Sequence, residues 1–220
     1  MYQTAGQPSS NIWVFDIETA VRGTAREYLS SLDVDADKRL KDPAKIEESK
    51  KEKRQELIDK APLYWWYGQI VSIAAERLSD RATFQVHGLD EKKNIRDFFN
   101  LLYSESDSVR LVGKNSLGFD FGYLVGRCIS LDLGVPYFLR PYRPIEDIDQ
   151  CFSSKSGSCV TGKLSDYAYA LGMSKSANGS DVAGMVDRGE WDQLSQYNQQ
   201  DVTITAEVLR RWAKEYDRHA

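Results

Sequence analysis

The spacing of apolar positions divides most of the chain into short strands and longer helices. Residues 11–17 predict a buried strand, because alternate side chains are apolar on both faces of the extended backbone. Further strands are predicted at 70–78, 81–87 and 109–113, with the first two joined as a hairpin-like pair. Helical spacing predicts helices at 91–103, 119–131, 163–171 and 190–216.

Residues 20–61 depart from this pattern. From 30 to 60 the sequence is charged with sparse apolar positions, which predicts one or two exposed helices inserted between strands. Residues 136–144 predict an extended segment with several prolines, and 153–162 a polar loop. We find no internal repeat and no second core, so residues 1–220 are predicted to form a single α/β domain. Its mixed central sheet should contain an antiparallel strand and be flanked by helices.

Composition narrows the possible functions. Apolar residues make up 41% of the chain and charged residues 28%, as in ordinary globular proteins. The sequence has neither an apolar stretch of membrane-spanning length nor a secretory signal pattern at its start, which predicts a cytoplasmic protein without membrane contact. The formal net charge of −4 argues against a protein that coats nucleic acid non-specifically, but permits an enzyme that holds a few nucleotides.

Cysteine and histidine are scarce. Cys128, Cys151 and Cys159 form no CxxC pair, so we expect free thiols in a reducing compartment. Two histidines give little material for a zinc site or a histidine-based nucleophile. Any metal should therefore be held by carboxylates, which favour Mg²⁺ or Mn²⁺.

The first candidate for chemistry is Asp16-Ile17-Glu18. Side chains two apart on a strand share a face, so the two carboxylates should emerge together at the C-terminal end of the first strand. Close anions repel, and a divalent cation would relieve the repulsion. The alternative is that both lie at an exposed exit from the strand.

The second candidate runs from Asn115 to Asp120, between a predicted strand and helix. An aspartate in a first helical turn often only compensates the helix dipole. That alternative does not account for Asn115 or for Phe119, a polar and an aromatic group suited to a sugar and a base.

The third candidate lies on the last helix, where apolar positions form one continuous stripe. Asp201 is the single charge on this stripe, and Tyr197 lies one turn before it on the same face. A carboxylate among core-facing positions needs a partner, and a metal ion is the simplest one. The members of the stripe are Leu194, Tyr197, Asp201, Ile204 and Val208.

Together, these motifs resemble the DEDD superfamily of 3′-to-5′ exonucleases. The match is to its tyrosine subclass, which contains the proofreading domains of B-family DNA polymerases. The motifs occur in the required order as Asp16-x-Glu18, Asn115…Phe119-Asp120 and Tyr197-x-x-x-Asp201. The histidine subclass has histidine five residues before the last aspartate, where this chain has Gln196. The resemblance implies a ribonuclease H-like fold.

The resemblance also implies a mechanism. Asp16, Glu18, Asp120 and Asp201 would hold two Mg²⁺ or Mn²⁺ ions, and Tyr197 would orient the attacking water. Nucleoside 5′-monophosphates would leave from the 3′ end of a strand, with single-stranded DNA as the expected substrate. Candidate substrate contacts are Thr19, Asn115 and Phe119. A polymerase or another replication or repair protein is a possible partner in trans.

Three rival functions stay open at this point. The same carboxylates would serve an exoribonuclease, since they do not distinguish sugars. A non-catalytic replication adaptor on the same fold would be expected to lack a ligand, and none is missing. A ribonuclease H-type endonuclease would share the core architecture but not the Tyr197-x-x-x-Asp201 helix.

Two further segments have alternative readings. The aromatic run 64–67 predicts core packing, with base stacking as the alternative. Basic residues of the insertion predict a solvated helix face, and contact with a nucleic-acid strand is the alternative. The candidates for that contact are Lys50, Lys51, Lys53 and Arg54. Asp147 and Asp149 follow a proline-rich turn and are predicted to be structural.

Overall fold

The computed structural model describes residues 11–105, 109–139, 146–152, 161–175 and 181–217, without the side chains of 215–217. Among these residues, the central sheet is formed by the strands β1 (Ile12–Val21), β2 (Gly68–Arg77), β3 (Thr83–His87) and β4 (Arg110–Val112). Their order across the sheet is β3-β2-β1-β4. β1 is antiparallel to β2 and parallel to β4, and β2 is antiparallel to β3. The predicted mixed α/β architecture is therefore confirmed.

Helices cover both faces of this sheet. They are α1 (Gly23–Ser31), α2 (Pro43–Lys60), α3 (Glu91–Ser104), α4 (Asp120–Ser130), α5 (Leu164–Leu171), α6 (Val182–Arg188) and α7 (Trp191–Asp217). α3 and α4 pack on the face that contains Trp13, Phe15 and Ile17. α7 packs on the opposite face, over Val14 and Ala74. As predicted, successive side chains of β1 point to opposite faces of the sheet and pack into two separate hydrophobic cores.

The stripe predicted on the last helix is buried as expected. Leu194, Tyr197, Asp201, Ile204 and Val208 are all at most 6% exposed. Helical spacing predicts this burial correctly because α7 lies against the sheet along one continuous face. α6 was not predicted; it is a short helix that packs beside Ala20 through Val182 and Met185.

The first strand is longer than its sequence suggested. β1 continues to Val21, so Asp16 and Glu18 lie within the strand and not at its C-terminal end. Pairing with β2 extends as far as Val21↔Gly68, with a register shift between Glu18 and Thr19. Backbone pairing with β2 therefore extends the strand beyond Asp16 and Glu18, although these polar side chains suggested that it ends there.

Other boundaries differ in smaller ways. β3 begins at Thr83, because Arg81 has φ 63° and this left-handed turn conformation interrupts the extended backbone. The segment predicted as extended contains a 3₁₀ turn at Tyr137–Leu139, and its residues 140–144 lie outside the described part of the chain. The predicted loop at 153–162 is described only at its last two residues. No helix among the described residues has the length and apolar character that crossing a bilayer requires.

The insertion contains α1 and α2, and α2 has no buried residue. Its basic side chains hold the preceding segment in place. Lys50 pairs with Asp33 at 3.0 Å, Lys53 donates to the carbonyl of Asp35, and Arg54 donates to the carbonyl of Leu32. Three of the four basic candidates for contacting nucleic acid thus have structural partners.

Candidate active site

Four carboxylates from three distant segments meet at the centre of β1. Asp16 and Glu18 lie on β1, Asp120 begins α4, and Asp201 lies on α7. Asp120 Oδ1 accepts a hydrogen bond from the backbone N–H of Ile17 at 3.2 Å, which places it between the two acidic residues of the strand. Asp120 is 3% exposed and Asp201 6% exposed.

Burial and mutual repulsion raise the pKa values of this cluster. Burial, together with the charges of Asp120, Glu18 and Asp201, raises the pKa of Asp16 well above its usual range. Burial, with repulsion from Asp201 and Asp120, raises the pKa of Glu18 to about 8. Burial also raises the pKa of Asp120 to about 7, despite the favourable hydrogen bond from Ile17. The cluster therefore favours either protons or added positive charge.

Lys175 supplies one such positive charge. Its Nζ donates to Asp201 Oδ1 and Oδ2 at 2.6 and 2.5 Å, and it lies 3.5 Å from the hydroxyl of Tyr197. The same ammonium stands 5.0 Å from the centre of the Tyr197 ring. Burial raises the pKa of Asp201, while the Lys175 hydrogen bond opposes that shift. Lys175 follows α5 and lies 26 positions from Asp201, so local sequence spacing gave no signal for it.

Asn198 binds the carboxylate of Asp16. Its Nδ2 donates to Asp16 Oδ2 at 2.7 Å, and its Oδ1 accepts from Ser72 Oγ at 2.9 Å. Asn198 is completely buried. Its position three residues before Asp201, on the sheet-facing side of α7, is the sequence signal that could have found it.

Asp147 orders the loop before α4. Its carboxylate accepts from the backbone N–H groups of Asn115, Leu117 and Asp149 at 3.2, 3.4 and 2.9 Å. Asn115 has φ 57°, a left-handed conformation that asparagine tolerates better than most residues. These contacts agree with the predicted structural role of Asp147.

Asp149 has structural partners of its own. It pairs with Lys114 at 2.8 Å and accepts from the hydroxyl of Tyr167 at 2.9 Å.

The three candidate substrate contacts have different surroundings. Asn115 is exposed, whereas Phe119 is half-buried with its ring 5.2 Å from that of Tyr123. Thr19 Oγ1 donates to the carbonyl of Pro62 at 2.9 Å, so this hydroxyl already has a partner within the protein.

The donor set suits a hard cation in chemistry and charge, since it offers carboxylate oxygens that repel one another. Among the residues that the structure describes, however, no three His, Cys, Asp or Glu side chains form a group able to hold a metal ion as they stand. Asn198 and Lys175 instead satisfy Asp16 and Asp201.

The free cysteines fit the expectation for thiols without disulfide partners. Cys128 is buried and Cys151 half-buried, and both are free. Burial raises the pKa of Cys128 to about 11, so this thiol is uncharged near neutral pH. Cys159 lies outside the described residues.

The raised pKa values predict that the metal-free protein becomes more stable as the pH falls from about 8 to about 5. Over this range the folded state binds protons at Glu18 and Asp120 that the unfolded state does not, so the free energy of unfolding increases towards lower pH. Thermal unfolding in EDTA should show a rise in Tm of at least about 3 °C, the equivalent of about 1 kcal/mol in a domain of this size. Glu18→Gln should reduce the slope, and an unchanged slope in this variant would contradict the assignment.

Comparison with known proteins finds similarity at the level of the fold. No protein-family model matches the chain. No curated protein matches its sequence. Among solved structures, it is similar to the family B DNA polymerase from the hyperthermophilic archaeon Pyrobaculum calidifontis, with a TM-score of 0.55 and 18% identity. The match covers 94% of this chain and 25% of the polymerase chain, so the chain spans about a quarter of that protein. The chain has an α/β, ribonuclease H-like fold that is similar to part of a family B DNA polymerase.

Proposed function

We propose that the protein is a 3′-to-5′ exonuclease that releases nucleoside 5′-monophosphates from single-stranded DNA. One observation carries the proposal: Asp16, Glu18, Asp120 and Asp201 converge beside Tyr197 from segments up to 185 positions apart. The similarity in fold to a family B DNA polymerase supports DNA as the substrate.

Mg²⁺ or Mn²⁺ would be held by the four carboxylates of this cluster. When bound, two such ions supply positive charge that stabilises the attacking and departing oxygens of the phosphodiester. Lys175 shares Asp201 through two hydrogen bonds, so ligation by Asp201 requires this ammonium to release at least one of them. Asn198 keeps Asp16 oriented through a neutral donor, which adds no competing charge.

Tyr197 is suited to orient a water molecule and not to remove its proton. Burial and the charges of Glu18 and Asp201 raise the pKa of the Tyr197 phenol far above neutrality. The hydroxyl therefore stays protonated and acts as a hydrogen-bond donor and acceptor. Lys175 lies against both the ring and the hydroxyl, and this limits where the hydroxyl can point.

The terminal nucleotide would lie between β1 and the start of α4. Phe119 offers a partly exposed ring for the terminal base, and Asn115 an exposed amide for the neighbouring sugar or phosphate. Thr19 would contribute through its backbone, because its hydroxyl is bonded to Pro62.

Tyr197→Phe is expected to lower kcat by about 10- to 100-fold with little change in KM. The ring and its contact with Lys175 remain, while the hydroxyl that orients the nucleophile is lost. Steady-state digestion of a short single-stranded oligonucleotide would measure both constants. A rise in KM with kcat unchanged would instead assign the hydroxyl to substrate binding.

The direct test is digestion of 5′-labelled single-stranded DNA and RNA of matched sequence, with Mg²⁺, with Mn²⁺ and with EDTA. We expect a ladder of products shortened one nucleotide at a time on DNA, dependent on the metal. Faster loss of RNA would make the protein an exoribonuclease, and internal cuts would make it an endonuclease. A complete lack of products with either metal would favour a non-catalytic adaptor.

A further inference from the structure

A row of aromatic rings, three of them exposed and one half-buried, lies beside the end of β1. We name it the aromatic ledge and define it by Tyr28, Tyr64, Trp66 and Tyr67. Tyr64 and Trp66 stack at 5.0 Å, and Tyr28 and Tyr67 at 6.4 Å, with Trp66 and Tyr67 in edge contact at 6.2 Å. Tyr28, Tyr64 and Trp66 are 53%, 41% and 47% exposed, so core packing is not their role.

The ledge is rigidly anchored by the neighbouring tryptophan. Trp65 packs against the core of α4 so closely that a methyl group on Gly126 would lie 2.4 Å from the indole ring. The carbonyl of Trp65 accepts from Arg127 Nη1 at 2.9 Å, and the carbonyl of Trp66 accepts from the guanidinium of Arg22. The exposed rings are thus held in place and not left on a free loop, which reduces the entropy cost of binding a ligand.

Strand register places the ledge next to the carboxylate cluster. Val21 pairs with Gly68, the residue directly after the ledge, and Glu18 lies three residues earlier on the same strand. At about 3.3 Å per residue this separation is about 10 Å along β1. That distance corresponds to about three base steps at 3.4 Å each.

Positive side chains flank the rings. Lys60 ends α2 just before Tyr64, and its side chain is 56% exposed and pairs with Glu56 at 2.6 Å. The guanidinium of Arg22 donates to the backbone carbonyl of Trp66. Stacked aromatic planes with cations beside them suit bases and phosphates of a single strand, and such stacking tolerates any base sequence.

We propose that the aromatic ledge binds the bases of single-stranded nucleic acid a few nucleotides upstream of the 3′ end. The inference rests on the proposed function, because the strand is placed by its terminus in the carboxylate cluster. The ledge would select unpaired strands, since bases within a duplex cannot stack on these rings.

The test is equilibrium binding of a fluorescein-labelled eight-nucleotide oligo(dT) in EDTA, followed by anisotropy. Trp66→Ala and Tyr64→Ala should each raise Kd by about tenfold, and Trp66→Phe should restore part of the loss. Tyr169→Ala serves as the matched control, because this tyrosine is 87% exposed on α5. Unfolding curves would show that all four variants remain folded.

Unchanged oligo(dT) binding in Trp66→Ala and Tyr64→Ala would overturn the proposal and leave the ledge free for a protein partner. An equal loss in Tyr169→Ala would also overturn it. Since binding is measured without divalent metal, this outcome is independent of whether the protein hydrolyses DNA. In a digestion assay, the ledge variants should lose activity on the eight-nucleotide substrate but not on a dinucleotide.

Discussion

Asp16→Ala is expected to abolish the one-nucleotide ladder on single-stranded DNA, with kcat/KM reduced by at least about 10³-fold. The charges of all three other members of the carboxylate cluster act on Asp16 and raise its pKa. Loss of one stabilising group in an active site already costs about 10²–10³-fold, and a shared metal ligand should cost more. Gel analysis of a 5′-labelled oligonucleotide over several hours would quantify the residual rate.

Folding should not account for this loss. Removing Asp16 relieves repulsion within a buried acidic cluster, which offsets the hydrogen bond lost by Asn198. We expect the free energy of unfolding in EDTA to change by less than about 1 kcal/mol. Asp33→Ala is the matched control, because this carboxylate is 91% exposed within the insertion. A variant without Asp16 that kept a tenth of wild-type activity would contradict the proposed site.

The largest expected effect on stability comes from breaking the buried ion pair between Glu91 on α3 and Arg127 on α4. Arg127 donates to both oxygens of Glu91, through Nε at 2.8 Å and Nη2 at 2.6 Å, and the two residues are only 2% and 6% exposed. Glu91 also accepts from the backbone N–H of Ile70 on β2 at 2.7 Å. Arg127→Met would leave a buried carboxylate unpaired and should lower the free energy of unfolding by about 3–5 kcal/mol.

Thermal unfolding would report this change as a fall in Tm of about 10 °C or more. Arg39→Met is the matched control, because Arg39 pairs with Asp37 at 2.6 Å on the surface and is 89% exposed, and its unfolding curve should match that of the wild type. Adding Glu91→Gln to Arg127→Met should recover part of the stability, since the unpaired charge is removed. A loss below 1 kcal/mol in Arg127→Met would show that the pair is dispensable.

Arg127→Met and Asp16→Ala are expected to differ in their effect on oligonucleotide binding. The Glu91–Arg127 pair joins α3, α4 and β2, and Arg127 also holds the carbonyl of Trp65. Arg127→Met should therefore weaken oligonucleotide binding at the aromatic ledge as well as stability, whereas Asp16→Ala should leave that binding intact.

The amino-acid pattern predicted most of the strands and helices and the burial of the stripe on the last helix. Alternation assigned Val14 and Phe15 to opposite faces of β1, and helical spacing placed Tyr197 and Asp201 on the buried stripe of α7. Such patterns are local, because each residue's face follows from a repeat of two or 3.6 residues. The order of the three acidic motifs along the chain then indicated that the parts of β1, α4 and α7 that carry them meet in one site.

The hydrogen-bond partners of the carboxylates follow from tertiary packing. Lys175 contacts Asp201 across 26 positions, and no local repeat encodes this contact; helical spacing places Asn198 on the sheet-facing side of α7, but its contact with Asp16 spans 182 positions. The full length of β1 and the exposure of Trp66 likewise depended on the pairing of β1 with β2 and on where Trp65 found its core contact. Burial and charge pairing depend on which surfaces come together, and this is a property of the packed chain and not of any short segment.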